Sequence, residues 1–262
     1  MSDAKNSRAK NSSAKSSNST HFGFQQVGIE EKVTKVNNVF SSVADNYDLM
    51  NDAMSLGIHR LWKRSFVSMA SLHPGDKLLD LASGSGDIAI KIAQSCPKYG
   101  ELAVTDINAD MLEQAKKNLL DNGIIDKVKF EIADAQDLQF PDAYFDSAFM
   151  SFGLRNVADK QRALNSVYSK LRSGGHFWVL EFSHPTNATL AKVYDSYSFN
   201  VIPKLGQWLA KDEASYQYLV ESIRMHPTQE ELKDMFIKAG FINCHYYDIS
   251  MGIVAIHKGV KP

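Results

Sequence analysis

Apolar positions along this chain switch repeatedly between two spacings. Short apolar-rich runs at 78–81, 101–107, 128–133, 145–152 and 176–182 read as strands, and the largely apolar 145–152 as one covered on both faces. Between them, apolar residues fall three and four apart, the spacing of a helix face. Ile88, Ile92 and Ala93 mark one helix, and Met111, Leu112, Ala115 and Leu119 a second over 110–122, closed by Asn122-Gly123. A third covers 159–171 and is closed by Ser173-Gly174-Gly175. Strands alternating with helices predict a doubly wound, mostly parallel α/β sheet.

Two regions depart from the alternation. Ahead of it, Val33, Val36, Val39, Phe40 and Val43 predict a helix over 29–47. Leu61, Trp62, Phe66 and Met69 predict another over 58–72, before the Pro74-Gly75 break. After it, 187–220 is a long helical stretch holding Tyr194, Tyr197, Phe199, Trp208, Tyr216 and Tyr218. It reads as an insertion over the carboxyl ends of the strands, where α/β folds bind ligands, or as extra helices on the core. A helix over 228–239 and a closing hairpin, 241–248 with 252–258, complete the chain. Residues 1–20 hold no large apolar residue after Met1 and read as a disordered tail before a single domain over 21–262.

The first strand leads into a small-residue turn, KLLDLASGSGD over 77–87, and a helix follows. Small residues let the backbone turn sharply and approach a ligand, and the helix start offers unpaired N–H groups. The next strand ends on Asp106, placed to accept from ribose hydroxyls. A dinucleotide fingerprint would have a third glycine where Ala89 stands, and the Asp87 carboxylate would repel a pyrophosphate. S-adenosylmethionine carries a sulfonium and an amino group and no phosphate, so the turn favours a methyl donor over NAD.

Composition narrows the picture modestly. With 262 residues, 44% hydrophobic and 23% charged, the chain can bury a full core. A net charge of −1 gives no push toward nucleic acid. Cys96 and Cys244 are too few for a disulfide framework or a cysteine metal site, and fit a cytoplasmic location. No apolar run approaches the ~18–20 residues that span a bilayer.

Several longer stretches go beyond a generic cofactor fold: FSSVADNYDLMND (40–52), GIHRLWKR (57–64), SFGLRNV (151–157), LEFSHP (180–185), ASYQYLVESIRMHP (214–227) and GIVAIHKG (252–259). With these, the chain resembles the class I S-adenosylmethionine-dependent methyltransferases. More narrowly, it resembles the bacterial C-methyltransferases of ubiquinone and menaquinone biosynthesis, from about residue 21 onward. The turn differs slightly, reading A-S-G-S-G-D where that family usually has A-G-G-T-G-D. The resemblance implies a Rossmann-like seven-stranded sheet whose last strand is antiparallel. It implies cofactor contacts at Ser85, Asp106, Asp134, Ala135 and Ser151. The competing reading of Asp134 is a helix cap or turn residue.

The implied reaction methylates a ring carbon of a prenylated quinol, either 2-polyprenyl-6-methoxy-1,4-benzoquinol or demethylmenaquinol. Such a carbon becomes nucleophilic when the neighbouring phenol ionises, so the enzyme must align it and help remove the phenolic proton. The candidates are Arg155 for the developing phenolate, Asn156 to orient an oxygen, and Tyr47 for a proton path. Arg224 and His226 are further candidates. A structural ion pair competes for Arg155, core packing for Tyr47, and a turn contact for His226. No metal is called for. The acceptor's apolar chain implies a peripheral contact with the inner membrane or a quinone-biosynthesis complex, and a homodimer stays open. An O- or N-methyltransferase of the same fold, or a non-catalytic donor-binding subunit, are the competing readings.

Overall fold

The computed structural model describes residues 19–43, 52, 55, 57–210 and 212–262. Its centre is a seven-stranded sheet whose strands are β3 (Lys77–Leu81), β4 (Glu101–Asp106), β5 (Val128–Ile132), β6 (Phe145–Ser151), β7 (Leu171–Phe182), β8 (Ile242–Ile249) and β9 (Val254–Val260), in the order β5-β4-β3-β6-β7-β9-β8. The first five run parallel, and β9 runs antiparallel to both β7 and β8. The direction of winding reverses between β3 and β6, so their carboxyl ends open a crevice for a ligand.

The period-two pattern explains why both faces are covered. Leu78, Leu102, Phe149, Trp178 and Leu180 point into one apolar layer, while Leu79, Ala103, Met150, Phe177 and Val179 point into the other. The first layer is closed by α2 (His59–Met69), α3 (Asp87–Ser95), α4 (Ala109–Asp121) and α8 (Glu213–Arg224). The second is closed by α5 (Lys160–Lys170) and α9 (Gln229–Lys238). Phe66 of α2, fully buried, meets Phe149 edge-to-face at 5.8 Å, an arrangement its ring quadrupole favours.

Several boundaries follow from side-chain caps. Asn108 accepts from Met111 N–H and starts α4; Asp159 accepts from Arg162 N–H and starts α5. Thr228 and Glu231 form a reciprocal capping box at α9. The strand predicted from 176 begins earlier, at Leu171, because a bulge absorbs the residues between Leu171 and His176. Gly175 sits inside it, where a Cβ would lie 2.8 Å from the Arg172 carbonyl oxygen.

Ahead of the sheet lies a hairpin the sequence pattern did not indicate, β1 (Ser19–Phe22) and β2 (Gln25–Gly28), turning at Gly23 with φ +57°. Ser19 and Thr20, read above as tail, are its first residues; residues 1–18 lie outside the described residues. The helix expected over 29–47 runs as α1 (Ile29–Val43), and 44–47 likewise lie outside. The insertion folds as three helices, α6 (Ala188–Asn200), α7 (Ile202–Ala210) and α8. Tyr194, Tyr216 and Tyr218 are buried, whereas Trp208 is 79% exposed. Among the described residues no helix is long and apolar enough to cross a membrane.

Candidate active site

A cleft of about 800 Å³, open to solvent on one side, lies at the carboxyl ends of β3, β4 and β6. Its floor is the turn after β3, where Ala82 and Gly84 take left-handed backbone at φ 50° and 55°. Asp106, at the end of β4, ties that turn down. One carboxylate oxygen accepts from Gly84 N–H at 2.9 Å, and the other from Asn108 N–H at 2.9 Å. Each oxygen keeps a lone pair for a ligand. Burial raises the Asp106 pKa, partly offset by these N–H bonds.

The far end of the cleft is the loop after β5. Asp134 and Ala135 both line it. Asp134 is also a turn residue, accepting from the backbone and side-chain amides of Gln136 at 2.9–3.1 Å. Helix α1 forms the roof through Val33, Val36, Asn37 and Phe40. The Asn108 amide holds the roof by donating to Asn37 Oδ1 at 2.6 Å and Ser41 Oγ at 3.0 Å.

A smaller cavity of about 250 Å³ adjoins the cleft at Ala82 and contains Lys63, Asp80, Ser83, Ser85, Asp87 and Ser151. Ser85 and Ser151 therefore face this cavity and not the main cleft. Asp80, on β3, is 1% exposed, and neither of its carboxylate oxygens has a hydrogen-bond partner among the described residues. Burial pushes its carboxyl well above the usual range, with the Ala89 N–H offsetting only part and Asp106 adding to the rise. Lys63 of α2, equally buried, reaches Asp87 at 3.0 Å. The sequence reading missed Asp80 and Lys63. The available signal was an acid at an otherwise apolar strand position directly before the turn.

On the opposite wall, β6 ends in a one-turn 3-10 helix, Leu154–Asn156. Asn156 lines the cleft, and its Oδ1 accepts from the Tyr218 hydroxyl at 2.9 Å. For Arg155 the structure changes the expected role. Its side chain is 1% exposed and turned away from the cleft, pairing with Glu181 at 2.7 Å and donating to the Phe152 carbonyl at 2.5 Å. Arg224 is likewise spent on Asp195. His226 is 4% exposed with both ring nitrogens unpartnered, and burial, reinforced by Lys160, holds its imidazole well below the ordinary value. None of these three lines the cleft. Tyr47 lies outside the described residues. The two walls meet closely: a Cβ on Gly153 would lie 2.7 Å from the Ala82 side chain.

The family model of the ubiE/COQ5 methyltransferases matches residues 28–261. The chain belongs to the ubiE/COQ5 methyltransferase family. Among its relatives, a protein of Hydrogenovibrio crunogenus named ubiquinone/menaquinone biosynthesis C-methyltransferase UbiE is 52% identical over 240 residues, covering 92% of this chain and 94% of the relative. One of the same name from Vibrio parahaemolyticus is 51% identical over 243 residues, covering 93% of this chain and 94% of the relative. Among solved structures, a SAM-dependent methyltransferase from Thermotoga maritima superposes with a TM-score of 0.61 at 18% identity, covering 86% of this chain and 99% of that one. Another, from Aquifex aeolicus, gives 0.61 at 11%, covering 82% and 98%. These two share the fold.

As a member of the ubiE/COQ5 family, the protein is a methyltransferase that uses S-adenosylmethionine. Its residues fit that donor on structural grounds. Asp80 is a buried acid with no hydrogen-bond partner among the described residues, Asp106 keeps acceptor capacity on both oxygens, and the roof over them is largely apolar. Among the described residues no His, Cys, Asp and Glu side chains gather as a metal site.

Proposed function

We propose that this protein methylates a ring carbon of a prenylated quinol in ubiquinone biosynthesis, menaquinone biosynthesis or both. The observation that carries the reading is the polarity of the cleft. Two buried acids, Asp80 and Asp106, stand on the β3–β4 wall, and the Asn156 amide, backed by the Arg155–Glu181 pair, stands on the β6 wall. A cationic donor suits the first wall and an oxygen gaining negative charge suits the second. The names of relatives half identical to nearly the whole chain support the quinol as acceptor.

When bound, S-adenosylmethionine supplies a methyl group on a positively charged sulfur. Asp106 would hold the ribose hydroxyls, and Asp134 with Ala135 the adenine edge. Asp80 would hold the amino group and Lys63 the carboxylate, with Ser85 and Ser151 completing the smaller cavity. Asn156 donates to the ring oxygen next to the reacting carbon, stabilising the phenolate that makes that carbon nucleophilic. Arg155 acts from behind, fixing the turn that presents Asn156. Phe40 and Val36 exclude water above the reacting atoms, and the phenolic and ring protons leave through the open side of the cleft. The acceptor's apolar tail places the protein against a membrane face or within a biosynthetic complex, and the exposed Trp208 supports the former.

The test is incubation with methyl-labelled S-adenosylmethionine and, separately, reduced demethylmenaquinol and 2-polyprenyl-6-methoxy-1,4-benzoquinol. Label on a ring carbon of either is the expected result, and the ratio assigns the pathway. Donor binding with neither quinol labelled overturns the acceptor assignment.

A further inference from the structure

Asn156 can serve a developing phenolate only if its amide nitrogen, and not its oxygen, faces the cleft. The terminal torsion of an asparagine is broad and roughly two-fold, so nothing in its own geometry selects one end. The selection has to come from a neighbour. Among the described residues the side chain of Asn156 has one hydrogen-bond partner, the hydroxyl of Tyr218 on α8, which donates to Oδ1 at 2.9 Å.

We propose that Tyr218 is a positioning residue for methyl transfer, its hydroxyl holding Asn156 with the Nδ2 group turned into the cleft. Tyr218 is 4% exposed, and a buried hydroxyl proton left without an acceptor is costly. Turning the amide over would remove that acceptor, so the tyrosine selects one of the two orientations. Burial pushes the phenol above its ordinary range, so it remains a donor at any working pH. The ring is fixed in turn by Phe22 of β1, stacked on it at 4.0 Å with 12° between planes. The hairpin bearing Phe22 is tied to the segment after the 3-10 helix and to α8. Thr20 Oγ1 donates to the Ala158 carbonyl at 3.0 Å, and Phe24 N–H donates to Glu221 at 3.1 Å. The relay from Phe22 through Tyr218 to Asn156 thus reaches across nearly the whole chain to aim one amide.

The inference rests on Asn156 facing the quinol in the reaction proposed above. Its test is a cycle of four proteins, the wild type, Tyr218→Phe, Asn156→Ala and the double variant, assayed at saturating donor with the quinol that the wild type methylates. Tyr218→Phe keeps the stacked ring and removes the hydroxyl. We expect kcat about tenfold lower with donor Kd unchanged, and no further loss when Tyr218→Phe is added to Asn156→Ala. Phe22→Leu, which keeps an apolar contact without the stack, gives the same non-additivity with a smaller drop. A Tyr218→Phe loss that persists undiminished beside Asn156→Ala shows a role independent of the amide and overturns the proposal. Wild-type turnover in Tyr218→Phe with Asn156→Ala impaired overturns the relay alone. Wild-type turnover in Asn156→Ala removes the role of Asn156 as well.

Discussion

The two walls of the cleft are built in opposite ways. The β3–β4 wall comes from a short run of chain, Asp80 through Asp87, answered by Asp106, and backbone N–H groups hold it in place. Two of its acids, Asp80 and Asp106, are buried at a cost to their charged forms. The β6 wall is assembled from residues far apart in sequence, Phe22, Lys32, Arg155, Glu181 and Tyr218, and its buried charges are mostly bases. One wall is arranged for a ligand at some expense to the fold, whereas the other holds the fold and presents a single amide.

That contrast is open to direct challenge. The largest effect should come from Arg155→Ala, which leaves Glu181 buried at 2% exposure without its partner. Breaking such a pair costs about 3–5 kcal/mol, read as a lower denaturant midpoint, and adding Glu181→Gln should recover part of it. A midpoint unchanged in Arg155→Ala would mean the pair contributes nothing to the fold. Next, Asp106→Ala should weaken donor binding about a hundredfold by calorimetry, a loss of about 2.7 kcal/mol, while moving the midpoint far less than Arg155→Ala does. Equal losses of stability from the two variants would erase the distinction between the walls.

The smallest effect concerns Lys32, whose ammonium donates to the Val157 carbonyl at 3.1 Å beside the cleft. Burial, with Lys160 nearby, lowers its pKa from 10.5 to about 7. The unfolded chain keeps this proton up to about pH 10, whereas the folded chain releases it near 7. Between those values the unfolded state binds more protons, so this residue makes stability rise with pH across that window. Lys32→Met should flatten the rise, measured as unfolding midpoint against pH, and an unaltered slope would exclude Lys32 as its source.

The same contrast explains what could be read in the sequence. The alternating apolar spacing revealed the sheet and its helices because the inner strands of a doubly wound sheet bury both faces, and that constraint is local. Asp106 was legible because strand, turn and strand fix its place within one βαβ unit. Asp134 and Asn156 were legible only through motif likeness, and Asp80 was passed over as one more strand residue. Arg155 showed its type but not its direction; whether it faces the cleft depends on Glu181, 26 residues away on a neighbouring strand. Phe22 could not be read as functional, because a four-residue strand leaves too little pattern to recognise and its partner Tyr218 lies at the other end of the chain.

Helix α1 has its inner face turned to the cleft, and among its described side chains Lys32 and Val36 are the buried ones. Polar side chains from several elements hold it to the body of the protein: the Asn108 amide donates to Asn37 and Ser41, Ser41 donates to Asp110, Ser42 donates to Asp212, and Lys32 donates to the Val157 carbonyl. A helix that roofs a cleft on polar bonds, with few deeply buried side chains of its own, gains order from whatever fills the space beneath it. Filling the cleft should therefore slow hydrogen exchange of the α1 amides, and exchange unchanged by added S-adenosylmethionine would refute that link.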